Sequence, residues 1–523
     1  MSDASAADLS RLGATSRTRA GMTIDPKWWK ERTVEGLAKE FRVSSGPHLF
    51  IDWRFVQAGL PGWLSRDGQP YGLRAPDDGP IEAIAGRNPR TYAGPQDVPE
   101  GIRLVAQAAN KSDPFDGPPG MLVLYDDGQY HTWNDGRYFQ SPDGAEWGEG
   151  EACSVDWSQC PLDGGISVGG TVCIDPTAPA GERFKGIVAA ERGEGFDEFH
   201  VRVREEFLRD RPDDIDPKAL APWYFHTFFG AVSADGIHWR VLPDQLLMQV
   251  SDTLNVLTYD QVLGRYVWYG RCWWHFNRRC IFRAESEDFR RWSRPEMIIW
   301  PTLDLHPSQD WYTNGKTAVP GSVDQHLMFS TLFHRATDTT SVQLFSSADG
   351  IAWSQVPGGS ILEPGEMGEW DGACVFAGTG LVPLPDDRMG LVFSGYPYPH
   401  KYPRNAATMT PRRALASWPM NRLCALEAAE SGRFSTYPLL FSGRKLVLNL
   451  ATLRAGVVRI EVTDPSGRVL PGRSWADADP IVADAGDHTV TWRGEADIGH
   501  EDGQAVIFRF QLKAARLFAF EFK

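Results

Sequence analysis

Four short stretches of the chain set acids beside aromatic or hydrogen-bonding residues. "SDTLN" carries Asp252, and "QDWYTNG" carries Asp310 followed by Trp311, Tyr312 and Asn314. "GEWDG" carries Glu369, Trp370 and Asp371, and "FIDWRF" carries Asp52 and Arg54. Converging carboxyl groups next to flat rings suit cleavage of a glycosidic bond. That reaction needs one carboxylic acid to protonate the leaving oxygen and one carboxylate as base or nucleophile, while rings stack on the apolar faces of a sugar. The expected roles are Glu369 as general acid, Asp310 as base or nucleophile, and Asp252 as stabiliser of the transition state or of a neighbour's proton. Asp52 is a further pocket carboxylate. Arg54, Trp311, Tyr312, Asn314, Trp370 and Asp371 are expected to bind substrate, as are Arg271 and His275 in "YGRCWWHFNRR". The chain has 68 acidic residues, so residue type alone selects nothing and position must decide.

Position comes from a repeated turn. "SPDGAEW" begins at Ser141, "SADGIHW" at Ser233, "SEDFRRW" at Ser286 and "SADGIAW" at Ser347. All fit Ser-x-Asp-x-x-x-Trp, and three place Gly directly after the Asp, the chemistry of a tight hairpin whose Ser and Asp oxygens bond local amides. Short apolar runs such as "GMLVLYDDGQYHTW", "NVLTYDQVLGRYVWYGR", "HLMFSTLFHR" and "MGLVFSGY" alternate with these turns and read as strands. A period of about 50–60 residues with several strands per repeat predicts a β-propeller of four-stranded blades. The blades are expected at about 113–147, 164–239, 252–292, 310–353 and 369–428, with residues 45–57 helping to close the ring. The turn itself is expected at the outer edge, as a structural staple. The acids open the inner strands, whose ends converge at one mouth of a propeller. An acidic insertion at 192–222 interrupts the second repeat.

Beyond about residue 435 the texture changes to cleanly alternating runs, "RKLVLNLATLRAGVVRIEV", "HTVTWRG" and "AVIFRFQLKAARLFAFEF", without the repeated turn. These predict a β-sandwich. The expected organisation is a tail and helix over 1–44, the helix in "DPKWWKERTVEGLAKEF", then a five-bladed propeller over 45–434 and a sandwich over 435–523. The fold class is therefore all-β, with one short N-terminal helix.

The net charge of −15 argues against a nucleic-acid or anionic-membrane partner, since both demand a basic face. No run of about 18 apolar residues suits a membrane span, and no apolar leader opens the chain, so a cytoplasmic protein is expected. Seven cysteines without a Cys-x-x-Cys pair read as reduced thiols. Neither metal-ligand spacing nor a phosphate or dinucleotide loop is present, so no cofactor and no metal are expected. The expected partner is an oligosaccharide or small glycoside, and the sandwich is a candidate surface for homo-oligomers.

The stretches "HLFIDWRFV", "DTLNVLTYDQVLGRYVWYGR", "RAESEDFRRWSRPEMI", "QDWYTNG" and "GEWDG", with the alternating tail, resemble a bacterial group of five-bladed propeller proteins. These are similar to glycoside hydrolase families 32 and 43 and carry a C-terminal β-sandwich. The resemblance runs from about residue 45 to the end. It implies an exo-acting hydrolase of furanosides or similarly small glycosides, with two Asp and one Glu at the site. The chain lacks the Trp-Met-Asn-Asp-Pro, Arg-Asp-Pro and Glu-Cys motifs of those families, and Asp252 stands where a Glu acid is expected, which moves the acid role to Glu369. Two alternatives stay open. A sialidase-like hydrolase would use Tyr312 with Arg54, Arg271 and Arg278, and a non-catalytic carbohydrate-binding propeller would use the same mouth without turnover.

Overall fold

The computed structural model describes residues 41–57, 98–160, 172–190, 226–249, 253–274, 278–401, 410–465 and 467–523, together with a few isolated short stretches. The expected helix after Asp25 and most of the insertion at 192–222 lie outside the described residues. The chain divides into two compact units, one formed by residues 108–420 and the other by residues up to 107 together with 421–523.

Residues 108–420 form five successive antiparallel sheets. Blade one contains Val123–Asp126, Gln129–Asn134, Arg137–Ser141 and Glu151–Ala152. Blade two runs outward from Val172–Ile174 through Phe184–Ala189 and His226–Ser233 to His238–Gln249, with Ser154–Asp156 added in parallel at its rim. Blade three contains Val256–Asp260, Arg265–Trp274, Arg278–Ser286 and Glu296–Ile299. Blade four has the interrupted inner strand Gln309–Thr313 and Lys316–Ala318, then His326–His334, Thr339–Ser347 and Ser354–Gln355. Blade five has Cys374–Ala377 and Val382–Leu384 inside, then Arg388–Tyr396 and Arg412–Pro419.

Each sheet meets the next, blade one meeting blade two through Trp133 and Tyr138 against Phe184 and Trp239, and the fifth meets the first, so the five close into a ring. Closure comes from two sources. The strand Asn110–Lys111, which precedes blade one, pairs with Arg412–Pro419 as the outer strand of blade five. At the inner end, Thr379 of blade five and Met121 and Val123 beside blade one exchange backbone hydrogen bonds of 2.8 and 3.1 Å. Residues 45–57, expected in this closure, belong instead to the other unit. Their apolar run looks like a propeller strand locally, but His48–Leu49 pairs with Ala519 and Phe520. Phe50 and Phe55 pack on Phe520 with ring centroids 5.4 and 5.0 Å apart.

That second unit is also β throughout its described residues. Its main sheet joins Asp484–Thr489, Leu446–Thr463, Ile507–Phe522, Cys424–Ser435 and Arg103–Ala106 in that spatial order. The long strands break register between Thr452 and Val457 and between Ala428 and Ser431. Such bulges let one strand bend and serve two layers of a sandwich. The expected boundary at 434/435 therefore moves to 420/421, because Cys424–Ser435 pairs with the C-terminal strand rather than within blade five.

The repeated turns join the third and fourth strands of their blades, at the rim. In three copies the Ser hydroxyl donates to the Asp carboxylate at 3.0 Å and accepts from the Gly amide at 2.8–2.9 Å. The same carboxylate accepts from two further amides of the turn. The Gly residues hold φ of +68° to +79°, a region that costs any residue with a Cβ. The Gly236 carbonyl accepts from its own turn's Trp239 and from Trp133 of blade one at 2.9 and 2.8 Å. The Gly350 carbonyl likewise accepts from Trp353 and from Tyr269 of blade three at 3.0 and 3.2 Å. The turn thus fastens one blade to its neighbour.

Ser347→Ala removes the hydroxyl that organises one such turn. It is expected to lower stability by about 1–2 kcal/mol in urea unfolding and to leave any catalytic turnover unchanged; a variant as stable as the parent would show that the motif is not a staple.

Candidate active site

The inner strand of blade four opens with Gln309–Thr313. Asp310 on this strand has no exposed surface. It accepts hydrogen bonds from Arg335 Nε at 3.0 Å and Arg335 Nη2 at 2.7 Å, and from Arg279 Nη1 at 2.9 Å. Burial by itself raises the proton affinity of Asp310, but hydrogen bonds from Arg335 and Arg279, and their charges, outweigh it and hold the carboxyl below its ordinary range. The group is therefore ionised, yet both oxygens are engaged and water does not reach it. This corrects the expected role of base or nucleophile: the Asp310 carboxylate holds two arginines in place.

Tyr312 stands two residues further along the strand and is partly exposed. The guanidinium of Arg271 lies 4.4 Å from its ring centroid and that of Arg279 lies 4.7 Å away, within the range of cation–π attraction. Arg279 holds its proton less tightly than an ordinary arginine, first because it is buried and then because Arg271 is close. The Tyr312 hydroxyl meets Nε2 of His400 at 2.7 Å. His400 reaches this point on the loop after Arg388–Tyr396 in blade five, fixed where its amide donates to the Asp338 carbonyl at 2.7 Å. The Lys401 amide donates to the Asp338 carboxylate at 2.6 Å. Burial lowers the proton affinity of His400; Asp338 opposes this, and Lys401, Arg279 and Arg271 reinforce it. Phe333 and Phe376 close around the pair, with centroids 5.4 and 5.8 Å from Tyr312.

A second acidic group precedes the inner strand of blade five. Glu369 is exposed, and its Oε2 accepts from the Glu366 amide at 2.8 Å. Asp371 is buried and accepts from Lys111 Nζ at 2.7 Å. Glu369 Oε2 and Asp371 Oδ1 lie 2.2 and 2.4 Å from the one point that a Cβ on Gly365 would occupy. The two oxygens are therefore less than about 5 Å apart, short of the roughly 5–5.5 Å at which retaining glycosidases hold their two carboxyl groups. Gly365 is the residue that allows this approach.

The other expected site residues divide clearly. Trp311 is buried in the core edge-on to Phe345, with centroids 4.8 Å apart, and presents no face to a ligand. Asn314 is fully buried and binds the Leu254 and Tyr269 carbonyls at 3.0 and 3.4 Å, tying blade four to blade three. Trp370 is partly buried against Phe393, with centroids 5.6 Å apart. Asp52 and Arg54 belong to the other unit and pair with each other at 2.7 Å. Arg278 donates to the backbone carbonyls of His306 and Gln309. Asp252 and His275 lie outside the described residues. Arg279, Arg335 and His400 were not among the expected site residues. The only local signals for them are the "RR" at the start of a strand, the "HR" at a hairpin and the proline-flanked "PYPHKYP". Among the described residues no three His, Cys, Asp or Glu side chains group as metal ligands.

Five successive sheets closed into a ring define a β-propeller. No protein-family description matches the chain, and no curated protein matches it in sequence. Among solved structures it is similar to a thermostable family-43 glycoside hydrolase, at 14% identity over 60% of this chain and 90% of that one, with a TM-score of 0.36. It is also similar to a sucrose-6-phosphate hydrolase from Lactobacillus gasseri, at 12% identity over 85% and 97%, with a TM-score of 0.34. An N-acetylgalactosamine deacetylase from F. plautii is similar at 14% identity over 62% and 92%, with a TM-score of 0.37. At these identities the side chains of the site are this chain's own.

Asp310→Ala strips Arg279 and Arg335 of their shared carboxylate, and is expected to cost about 3–5 kcal/mol, the penalty for breaking a buried ion pair. Asp310 binds its proton less tightly when folded than when unfolded, so its contribution is present above the unfolded value and lost as pH falls through the folded one. Urea unfolding across the acid range should therefore show a shallower acid loss in the variant. An unchanged midpoint at neutral pH would remove Asp310 from this role.

Proposed function

We propose that this chain is a glycoside hydrolase whose reaction centre lies where the inner strands of blades four and five begin. One observation carries the reading: hydrogen-bonding side chains are interleaved with aromatic rings at that end of the propeller. Tyr312, His400 and Arg271 come together from three different blades there. Hydroxyls of a sugar need the first kind of group, and its apolar C–H faces need the second. Glu369 is the proposed general acid, because it is the catalytic candidate with solvent access among the described residues, and Asp371 is its neighbouring carboxylate. Asp252 keeps its proposed place as a stabilising carboxylate. The finer reading, exo-action on a furanoside or similarly small glycoside, rests on the resemblance in sequence.

A second reading, a sialidase-like hydrolase of acidic sugars, draws support from Arg271 lying against Tyr312. It loses support from Arg54 and Arg278, which are committed elsewhere.

Nitrophenyl arabinofuranosides and xylosides, fructofuranosides and a fluorogenic sialoside separate these readings. Turnover of a furanoside or xyloside is expected; turnover of the sialoside alone would favour the second reading. Glycan binding without turnover of any substrate would make the propeller a binding module. Glu369→Gln should lower kcat by about 10²–10⁴-fold. The loss should shrink for a dinitrophenyl leaving group, which departs without a proton. An equal loss with both leaving groups would deny Glu369 the acid role.

A further inference from the structure

With Asp310 sealed beneath two arginines, the site has a proton-handling group of another kind. We propose that Tyr312 and His400 act as a relay, in which the Tyr312 oxygen receives the proton of the attacking water while its own proton passes to His400. This rests on the hydrolase reading and deepens it.

The geometry supplies each element of the relay. The phenol oxygen and Nε2 of His400 are 2.7 Å apart, a distance at which a proton passes directly. The imidazole is held neutral by burial, with Lys401, Arg279 and Arg271 opposing its charge and Asp338 favouring it. In the relay Nε2 accepts and the hydroxyl donates, the neutral imidazole carrying its proton on Nδ1. The guanidiniums of Arg271 and Arg279, 4.4 and 4.7 Å from the ring centroid, are in place before the reaction to neutralise negative charge developing on the phenol. Asp310 fixes Arg279 at 2.9 Å, so the cationic side of the relay does not need to reorganise. The histidine is equally fixed, since the Asp338 carbonyl and carboxylate bind the two successive amides of His400 and Lys401. Tyr396, its hydroxyl pushed up first by burial and then by Cys374 and Tyr312, also borders this loop, as does Cys374, whose sulfur points at the same Asp338 carbonyl at 3.6 Å. Its thiol is pushed up to about 11, first by burial, and stays neutral.

In the step itself, the water oxygen bonds to the anomeric carbon as the bond from that carbon to the leaving oxygen breaks. One water proton moves to the Tyr312 oxygen as the phenol proton moves to Nε2 of His400. The phenol ends neutral and the imidazole ends cationic. The leaving oxygen takes its proton from Glu369, and His400 then gives its extra proton to solvent, from which Glu369 is reprotonated.

Two variants test the relay, Tyr312→Phe and His400→Gln. The first keeps the ring and its contacts with the arginines; the second keeps a hydrogen-bonding side chain. Each is expected to lose about 100-fold or more in kcat on the best nitrophenyl glycoside, with KM within about threefold. In the parent protein kcat/KM should fall on the acid side as His400 protonates, and that limb should be missing in His400→Gln. A Tyr312→Phe variant within about threefold of parental kcat, or an acid limb that persists in His400→Gln, would overturn the relay. A readout without turnover accompanies these. With ¹⁵N-labelled imidazoles, the His400 resonance should titrate at higher pH in Tyr312→Phe, because the bond stabilising the neutral ring is gone. An unchanged titration would equally reject the pair. If the parent cleaves no glycoside the hydrolase reading falls, and this titration still decides whether the proton-sharing pair exists.

Discussion

Closure of the ring is the constraint on which the rest of the propeller depends. A five-sheet ring has an open seam unless its first and last sheets are joined, and an unpaired outer strand is an edge prone to wrong pairing. Here Asn110–Lys111, from before blade one, completes the rim of blade five, and the Lys111 ammonium binds the buried Asp371 carboxylate at 2.7 Å. Lys111, one of the two residues that seal the rim, therefore also anchors the turn from Gly365 to Gly372 that presents Glu369. Closure and the placement of an exposed acid are one event.

A comparable economy governs the wall formed by blades three, four and five. One carboxylate, Asp310, is shared by Arg279 and Arg335. Arg279 in turn lies against the ring of Tyr312, whose hydroxyl meets a histidine from the next blade. Burying a charge is costly unless it is paired and hydrogen-bonded, and each buried charge of this chain of contacts has such a partner. The result is a rigid polar wall inside an aromatic surround of Phe333, Phe376 and Tyr396. Its rigidity comes from neighbouring blades, so its accuracy depends on how well they pack.

What was legible in the sequence was what is locally encoded. The Ser-x-Asp-x-x-x-Trp turn satisfies its own amides within seven residues, so its pattern announces both the turn and the blade period. The starts of the inner strands followed from that period, and position on one of them singled out Tyr312. What was not legible lies in long-range pairing. Asp310 reads as an available acid because nothing beside it in sequence reveals Arg335 or Arg279, 25 and 31 residues away. His400 is 88 residues from Tyr312 and sits in a loop with no periodic pattern. The same limitation misplaced "FIDWRF", whose partners lie at the far end of the chain, and it gave Asn314 and Trp311 to substrate when blade three claims the first and the core of blade four the second.

One feature of the sandwich sheet bears on how such an architecture can be exchanged. Residues Arg103–Ala106 and Cys424–Glu427 are paired strand to strand, with Ala106 opposite Cys424 and the Gln107 amide bound to the Leu423 carbonyl at 2.9 Å. The chain therefore leaves its host sheet and returns to it at adjacent positions, with the whole of residues 108–420 between. In recombination terms the propeller is a cassette: a domain whose two ends are this close can be spliced into, or out of, a single point of another fold. The host does not share that freedom. It is written in two pieces on either side of the cassette, and neither piece completes its sheet without the other.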